Sequence, residues 1–99
     1  MPYHIEYRPE TIVHMRALNT RQQIIVLETV EQQFRHQPTV RTRNRKPLRT
    51  NPIALWELRI GALRVYYDVK EAPVPTVLIQ AVGLKERNVV RIGGEVITL

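Results

Sequence analysis

The stretch from Leu55 to Tyr67, LWELRIGALRVYY, holds a carboxylate, two guanidinium groups and a phenol close together: Glu57, Arg59, Arg64 and Tyr66. These side chains suit chemistry at a phosphate. Arginine forks bind phosphate oxygens in pairs, a carboxylate can accept a proton, and a phenol can give one. Cleaving a phosphodiester with a hydroxyl nucleophile needs a base for that hydroxyl, an acid for the leaving oxygen, and positive charge on the phosphate. Arginine stays protonated and is a poor base. Glu57 is therefore the first candidate base, with His4 and Glu6 as alternatives if the first strand turns its polar face the same way. Tyr66 is a candidate acid or a stacking platform for a nucleobase.

Gly61 and Ala62 sit between two apolar alternations and predict a two-residue type II′ hairpin turn. That turn sets the register: Ile60 faces Leu63, Arg59 faces Arg64, Glu57 faces Tyr66 and Leu55 faces Asp68. Trp56, Leu58, Ile60, Leu63, Val65 and Tyr67 then share a core face. Glu57, Arg59, Arg64 and Tyr66 share the other face. Like charges directly opposed across a ladder destabilise it by roughly 0.2–1 kcal/mol. Glu57 could offset that repulsion, and a phosphate seated between the two guanidinium groups would use it.

More positive charge lies nearby. The net charge is +6, and residues 41 to 99 carry all of it, with eleven basic and five acidic groups. Residues 41 to 49, RTRNRKPLR, contribute Arg41, Arg43, Arg45, Lys46 and Arg49 without an acidic residue. Lys85, Arg87 and Arg91 follow the later strands. This footprint suits a polyanion, although an acidic protein partner would match the same charge. Arg41, Arg43, Arg45, Lys46, Arg87, Arg91 and Tyr66 are the candidate RNA-binding residues.

The elements that must carry these residues read as an α+β order. YHIEYR alternates as an opening strand. Pro9 and Glu10 favour the start of a helix near 9 to 18, with Ile12, Met15 and Leu18 at helical spacing. Asn19 and Thr20 supply a break and an N-cap. A second helix is predicted over 21 to 36, burying Ile24, Leu27, Val30 and Phe34 and ending before Pro38. Residues 38 to 52 form a loop with some extended structure. Strands are predicted near 54 to 60, 63 to 70 and 76 to 82, and the tail VVRIGGEVITL adds a strand or hairpin. TVLIQAV is apolar enough for a central strand covered on both faces. Helices grouped on one face of a mostly antiparallel sheet follow, leaving the other face at least partly open. Trp56 and Phe34 are expected in the core.

Several classes are excluded or disfavoured. The 99 residues fit one domain, 1 to 99. There is no cysteine, so thiolate chemistry is absent. His4, His14 and His36 lack metal-ligand spacing, and no metal or other cofactor is expected. No apolar run approaches the ~20 residues of a membrane-spanning helix. The charged start lacks a secretory signal, so the cytoplasm is the expected compartment. The IGG at 92 to 94 is a turn signal and not a phosphate-binding loop.

The element order, LWELRIGALRVYYDV and the glycine-then-basic VGLKER at 82 to 87 resemble the RelE/ParE family of type II toxins, across nearly the whole chain. The resemblance implies a compact α+β fold with a concave sheet face. It implies one of two activities: messenger-RNA cleavage in the ribosomal decoding site, as in RelE-like members, or poisoning of DNA gyrase, as in ParE-like members. It also implies a cognate antitoxin that wraps the toxin. Arg64 resembles the family's hairpin arginine, which acts on the scissile phosphate. Arg49 resembles the basic residue of the loop before the hairpin, and Lys85 the basic residue after the glycine, here Gly83. Two departures stand out. Glu57 lies near a position where RelE-type nucleases often carry lysine. Arg91 stands where they often carry a tyrosine or histidine. The expected function is that of an mRNA endonuclease toxin acting without metal. The alternatives are a gyrase-directed toxin and a degenerate nucleic-acid-binding module.

Overall fold

The computed structural model describes residues 2–98. Its elements are β1 (His4–Tyr7), α1 (Thr11–Arg16), α2 (Thr20–Phe34), β2 (Arg45–Pro47), β3 (Trp56–Ile60), β4 (Leu63–Lys70), β5 (Thr76–Glu86), β6 (Val89–Ile92) and β7 (Glu95–Ile97). All the strands join one sheet in the order β2-β3-β4-β5-β6-β7, and β1 pairs with β5 in parallel. The remaining ladders are antiparallel. The three predicted central strands are present. The sheet is wider than those strands alone because the loop supplies β2 and the tail folds into the β6–β7 hairpin.

Asn19 caps α2 reciprocally: its side chain accepts from the Gln22 amide, and the Gln22 side chain accepts from the Asn19 amide. Two otherwise orphaned donors are satisfied at once. The helix buries Val26, Val30 and Phe34, while Ile24 and Leu27 stay about half exposed. This corrects the expected stripe. Both sets have helical spacing and share Val30 and Phe34, so periodicity could not separate them. The helix is rotated to pack on β4, and Leu27 borders a shallow groove beside Ile12 and Met15 of α1. Ile12 is likewise exposed, and α1 is shorter than expected because Pro9 and Glu10 form a turn before it.

The main core lies between the helices and the sheet. Leu18, Val26, Val30 and Phe34 meet Leu58, Leu63, Val65, Tyr67, Val77, Ile79 and Val82. Phe34 packs on Tyr67 with ring centroids 4.1 Å apart, and Tyr67 donates to the Pro38 carbonyl at 2.8 Å. Trp56 packs against the same cluster, so both expected core aromatics are in place. A second, smaller cluster forms on the opposite face from Ala54, Tyr66, Ala81 and Ile92. Among the described residues no helix is long and apolar enough to cross a membrane.

β5 runs through the middle of both halves of the sheet. β4 pairs with it from Thr76 to Leu84, while its other edge meets β1 at 76–79 and β6 at 83–86. Opposite Tyr66 and Tyr67 the register slips by one, so Tyr66 faces Ala81 and Tyr67 faces Ile79. Gln80 is the extra residue of this β-bulge. Its amide donates to Asp68 and its carbonyl accepts from Arg8, which pins the irregularity. On the exposed edge the gap between β1 and β6 is closed by a side chain: the Val82 amide donates to His14 Nδ1 at 3.3 Å.

Candidate active-site cleft

The β3–β4 hairpin has the predicted register, with Arg59 opposite Arg64 and Glu57 opposite Tyr66. Gly61 has φ +58°, and Ala62 is not in the left-handed region, as a type II′ turn requires. A cleft of about 660 Å³ lies over this side of the sheet. It gathers Lys46, Arg49, Arg59, Arg64 and Lys85 around one carboxylate, Glu57, and the Tyr66 phenol. The hairpin, the loop before it and the strand after it therefore converge as the sequence suggests.

The opposed arginines do not point at one another. Arg59 turns along its own strand, and its Nε donates to Glu57 Oε1 at 2.9 Å. Arg64 turns toward the hairpin tip, where Nη1 donates to the Gly61 carbonyl at 2.6 Å and the Leu63 carbonyl at 2.9 Å. Each guanidinium thus has its own anchor, which separates the like charges. The expected neutralisation by Glu57 falls on Arg59 alone. Arg64 is 8% exposed and Glu57 6%, so neither is an ordinary solvated strand residue.

Tyr66 is fully buried. Its ring packs in the second cluster, which removes it as a stacking platform for a nucleobase. Burial, then the charge of the Glu57 carboxylate and its closeness as a hydrogen-bond acceptor, raise its pKa against a smaller downward pull from Arg64 and Arg59. Oη makes no hydrogen bond among the described residues. A phenol held protonated in this way is a weak acid but a persistent hydrogen-bond donor.

Lys85 reaches the cleft because of the bulge. Strict alternation from Val77 would put residue 85 on the helix face; the extra residue at Gln80 reverses the parity, so Ala81, Gly83 and Lys85 join the arginine face. Gly83 stands between Arg64 and Ile92. A Cβ there would come within 2.9 Å of the Arg91 carbonyl and 3.0 Å of Ile92 Cγ1, so the glycine permits the close approach of β6.

Other candidates lie elsewhere. Arg45 pairs with Leu58 and turns to the helix side, where Nη1 donates to the carbonyls of Gln37 at 3.0 Å and Gln33 at 3.4 Å. It is buried at the end of α2 and is removed from the RNA-binding set. The adjacent Lys46 faces Glu57 across the ladder and lines the cleft. Arg41, Arg43 and Arg87 are exposed and do not line it. Arg91 pairs with Leu84, on the helix side of the sheet, and is also outside the cleft. His4 and Glu6 are exposed on β1 and do not border the cleft.

Asn51 is the residue that sequence reasoning missed. Its Oδ1 accepts from the amides of Ile53 and Ala54, and its Nδ2 donates to the carbonyls of Arg49 and Ala54. It therefore shapes the turn that carries Arg49. The Asn-Pro dipeptide was the available signal for such a turn.

The fold is the RelE-like α+β arrangement. A chain in the crystal structure of the toxin–antitoxin complex RelBE2 from Mycobacterium tuberculosis matches it with a TM-score of 0.71 and 24% sequence identity. The match covers 86% of this chain and 100% of that one. At this identity the likeness establishes the fold. No protein-family model matches the sequence, and no curated protein does.

Proposed function

We propose that this chain is the toxin of a type II toxin–antitoxin system and cleaves messenger RNA on the ribosome, using the substrate's 2′-hydroxyl and no metal. The observation that carries this reading is the cleft itself: among the described residues, five cationic side chains surround one carboxylate on the face of a RelE-like sheet. The solved neighbour belongs to a toxin–antitoxin complex, which supports a cognate antitoxin as partner. The cytoplasm, where messenger RNA is translated, is the matching compartment.

In this mechanism Arg59, Arg64 and Lys85 hold the scissile phosphate, while Arg49 and Lys46 guide the flanking backbone. A phosphate that draws Arg59 away frees the Glu57 carboxylate to take the 2′-hydroxyl proton. The resulting oxyanion attacks phosphorus, the bond to the 5′-oxygen breaks, and that oxygen takes a proton from Lys85 or water. The products are a 2′,3′-cyclic phosphate and a 5′-hydroxyl end. Glu57 thus supplies the base at a position where a lysine could not serve as one while protonated.

Induced expression in a bacterial host tests the reading, with primer extension on messenger RNA and plasmid supercoiling followed together. New 5′ ends within translated messages, relieved by the co-expressed antitoxin, are expected. Lost supercoiling with intact messages would instead assign the chain to gyrase. No effect on either would leave a nucleic-acid-binding module.

A further inference from the structure

We infer that the Tyr66 hydroxyl is a hydrogen-bond donor kept for a phosphate oxygen of the bound nucleic acid. The inference deepens the proposed function by assigning a substrate contact within the same cleft.

Three observations lead to it. The hydroxyl is buried and makes no hydrogen bond of full geometry among the described residues, although the Glu57 carboxylate stands close enough to act on it as an acceptor. Leaving a buried polar group unpaired is unfavourable, and native structures contain few such groups. A phenylalanine would fill the same space in the cluster of Ala54, Ala81 and Ile92 without that penalty. Packing alone thus gives no reason for the oxygen.

The oxygen's surroundings suit an anion. Tyr66 lines the cleft with Arg59, Arg64 and Lys85. It stands next to Arg64 on β4 and directly across the ladder from Glu57. Among the described residues the only carboxylate in the cleft lining, Glu57, is already bonded to Arg59. A phosphate that recruits Arg59 shifts the pair standing beside the hydroxyl and brings an acceptor of the right charge. Burial favours the protonated phenol, so it remains a donor near neutral pH.

The geometry separates this role from two others. The ring is enclosed and cannot stack on a base. A phenol whose proton is held this firmly is a poor general acid. What remains is a neutral donor, fixed by the packing of its ring, at the floor of a cationic cleft. Such a donor adds direction to a cationic site, because its ring has no free rotamer to lose on binding.

Tyr66→Phe removes the oxygen alone and tests the inference. The probes are an oligonucleotide with 2′-deoxy substitution, which cannot be cut through the 2′ position, and inorganic phosphate. The variant should bind the oligonucleotide about ten- to a hundred-fold more weakly, the range for a hydrogen bond to a charged group. It should also gain less thermal stability from phosphate, yet melt at or above the wild type without ligand. Equal affinity for the oligonucleotide would overturn the inference. So would a lower melting temperature without ligand, because the hydroxyl would then serve the fold. If the wild type binds the oligonucleotide but cuts no RNA, the nuclease reading fails while the affinity comparison still decides the role of Tyr66. If the wild type binds neither probe, the phosphate contact is wrong as well.

Discussion

Replacing Arg64 with alanine should weaken the fold modestly and the activity severely. In the structure Arg64 Nη1 holds two backbone carbonyls at the hairpin tip, Gly61 and Leu63. Hydrogen bonds from a charged donor contribute roughly 1.5–3 kcal/mol each. Gly61 lies at the exposed turn, so water replaces the guanidinium there, and the loss approaches one such bond. Relief of the repulsion from Arg59 returns roughly 0.2–1 kcal/mol. The net destabilisation is then about 0.5–3 kcal/mol, and each 1 kcal/mol lowers Tm by ~4–8 °C for a domain of this size. If the guanidinium also stabilises charge on the phosphate in the transition state, cleavage should fall by about 10²–10³. Arg64→Lys should keep part of the stability, because an ammonium can still reach a carbonyl, and recover little activity, because it cannot form the two-pronged contact. Thermal melts paired with a cleavage assay on a translated message measure both. Full activity in Arg64→Ala would refute the phosphate role. A melting temperature at or above the wild type would refute the structural role assigned to the two carbonyl contacts.

The other predictions rest on different contacts. Gly83→Ala should destabilise by roughly 1–3 kcal/mol, the usual range for overpacking, because the new Cβ meets the Arg91 carbonyl and Ile92; denaturant melts of the two proteins check it. His14 accepts a hydrogen bond from the Val82 amide, and burial lowers its pKa from 6.5 against a smaller upward pull from Glu10. Its contribution should therefore be complete above about pH 6.5 and fall as the pH drops through the lowered value. His14→Gln should lack that part of the pH dependence, which melts across the acid range would show. In the basic loop the two alternating arginines should separate: Arg45→Gln should lower the melting temperature, while Arg43→Gln should leave it unchanged. If Arg43 touches a phosphate, its loss should reduce the logarithmic salt slope of single-stranded RNA binding by ~0.7.

The amino-acid sequence by itself determined the hairpin. A glycine at the turn and mostly alternating apolar residues on both sides favour one register, and that register opposes Arg59 to Arg64 and Glu57 to Tyr66. Asn19 and Gln22 likewise announced where α2 begins. Tertiary structure decided the rest of the site. A run such as TVLIQAV has no alternation to break, so the bulge at Gln80 leaves no local mark, yet it alone puts Lys85 on the arginine face. Arg45 and Lys46 are adjacent cations in a loop without an apolar period. Only the pairing of β2 with β3 sends one to the end of α2 and the other to the cleft. The partners of the two arginines were also beyond local reading. Side chains of opposed like charges can turn toward either end of their strands, and their direction follows from which carbonyls and carboxylates the folded sheet leaves within reach.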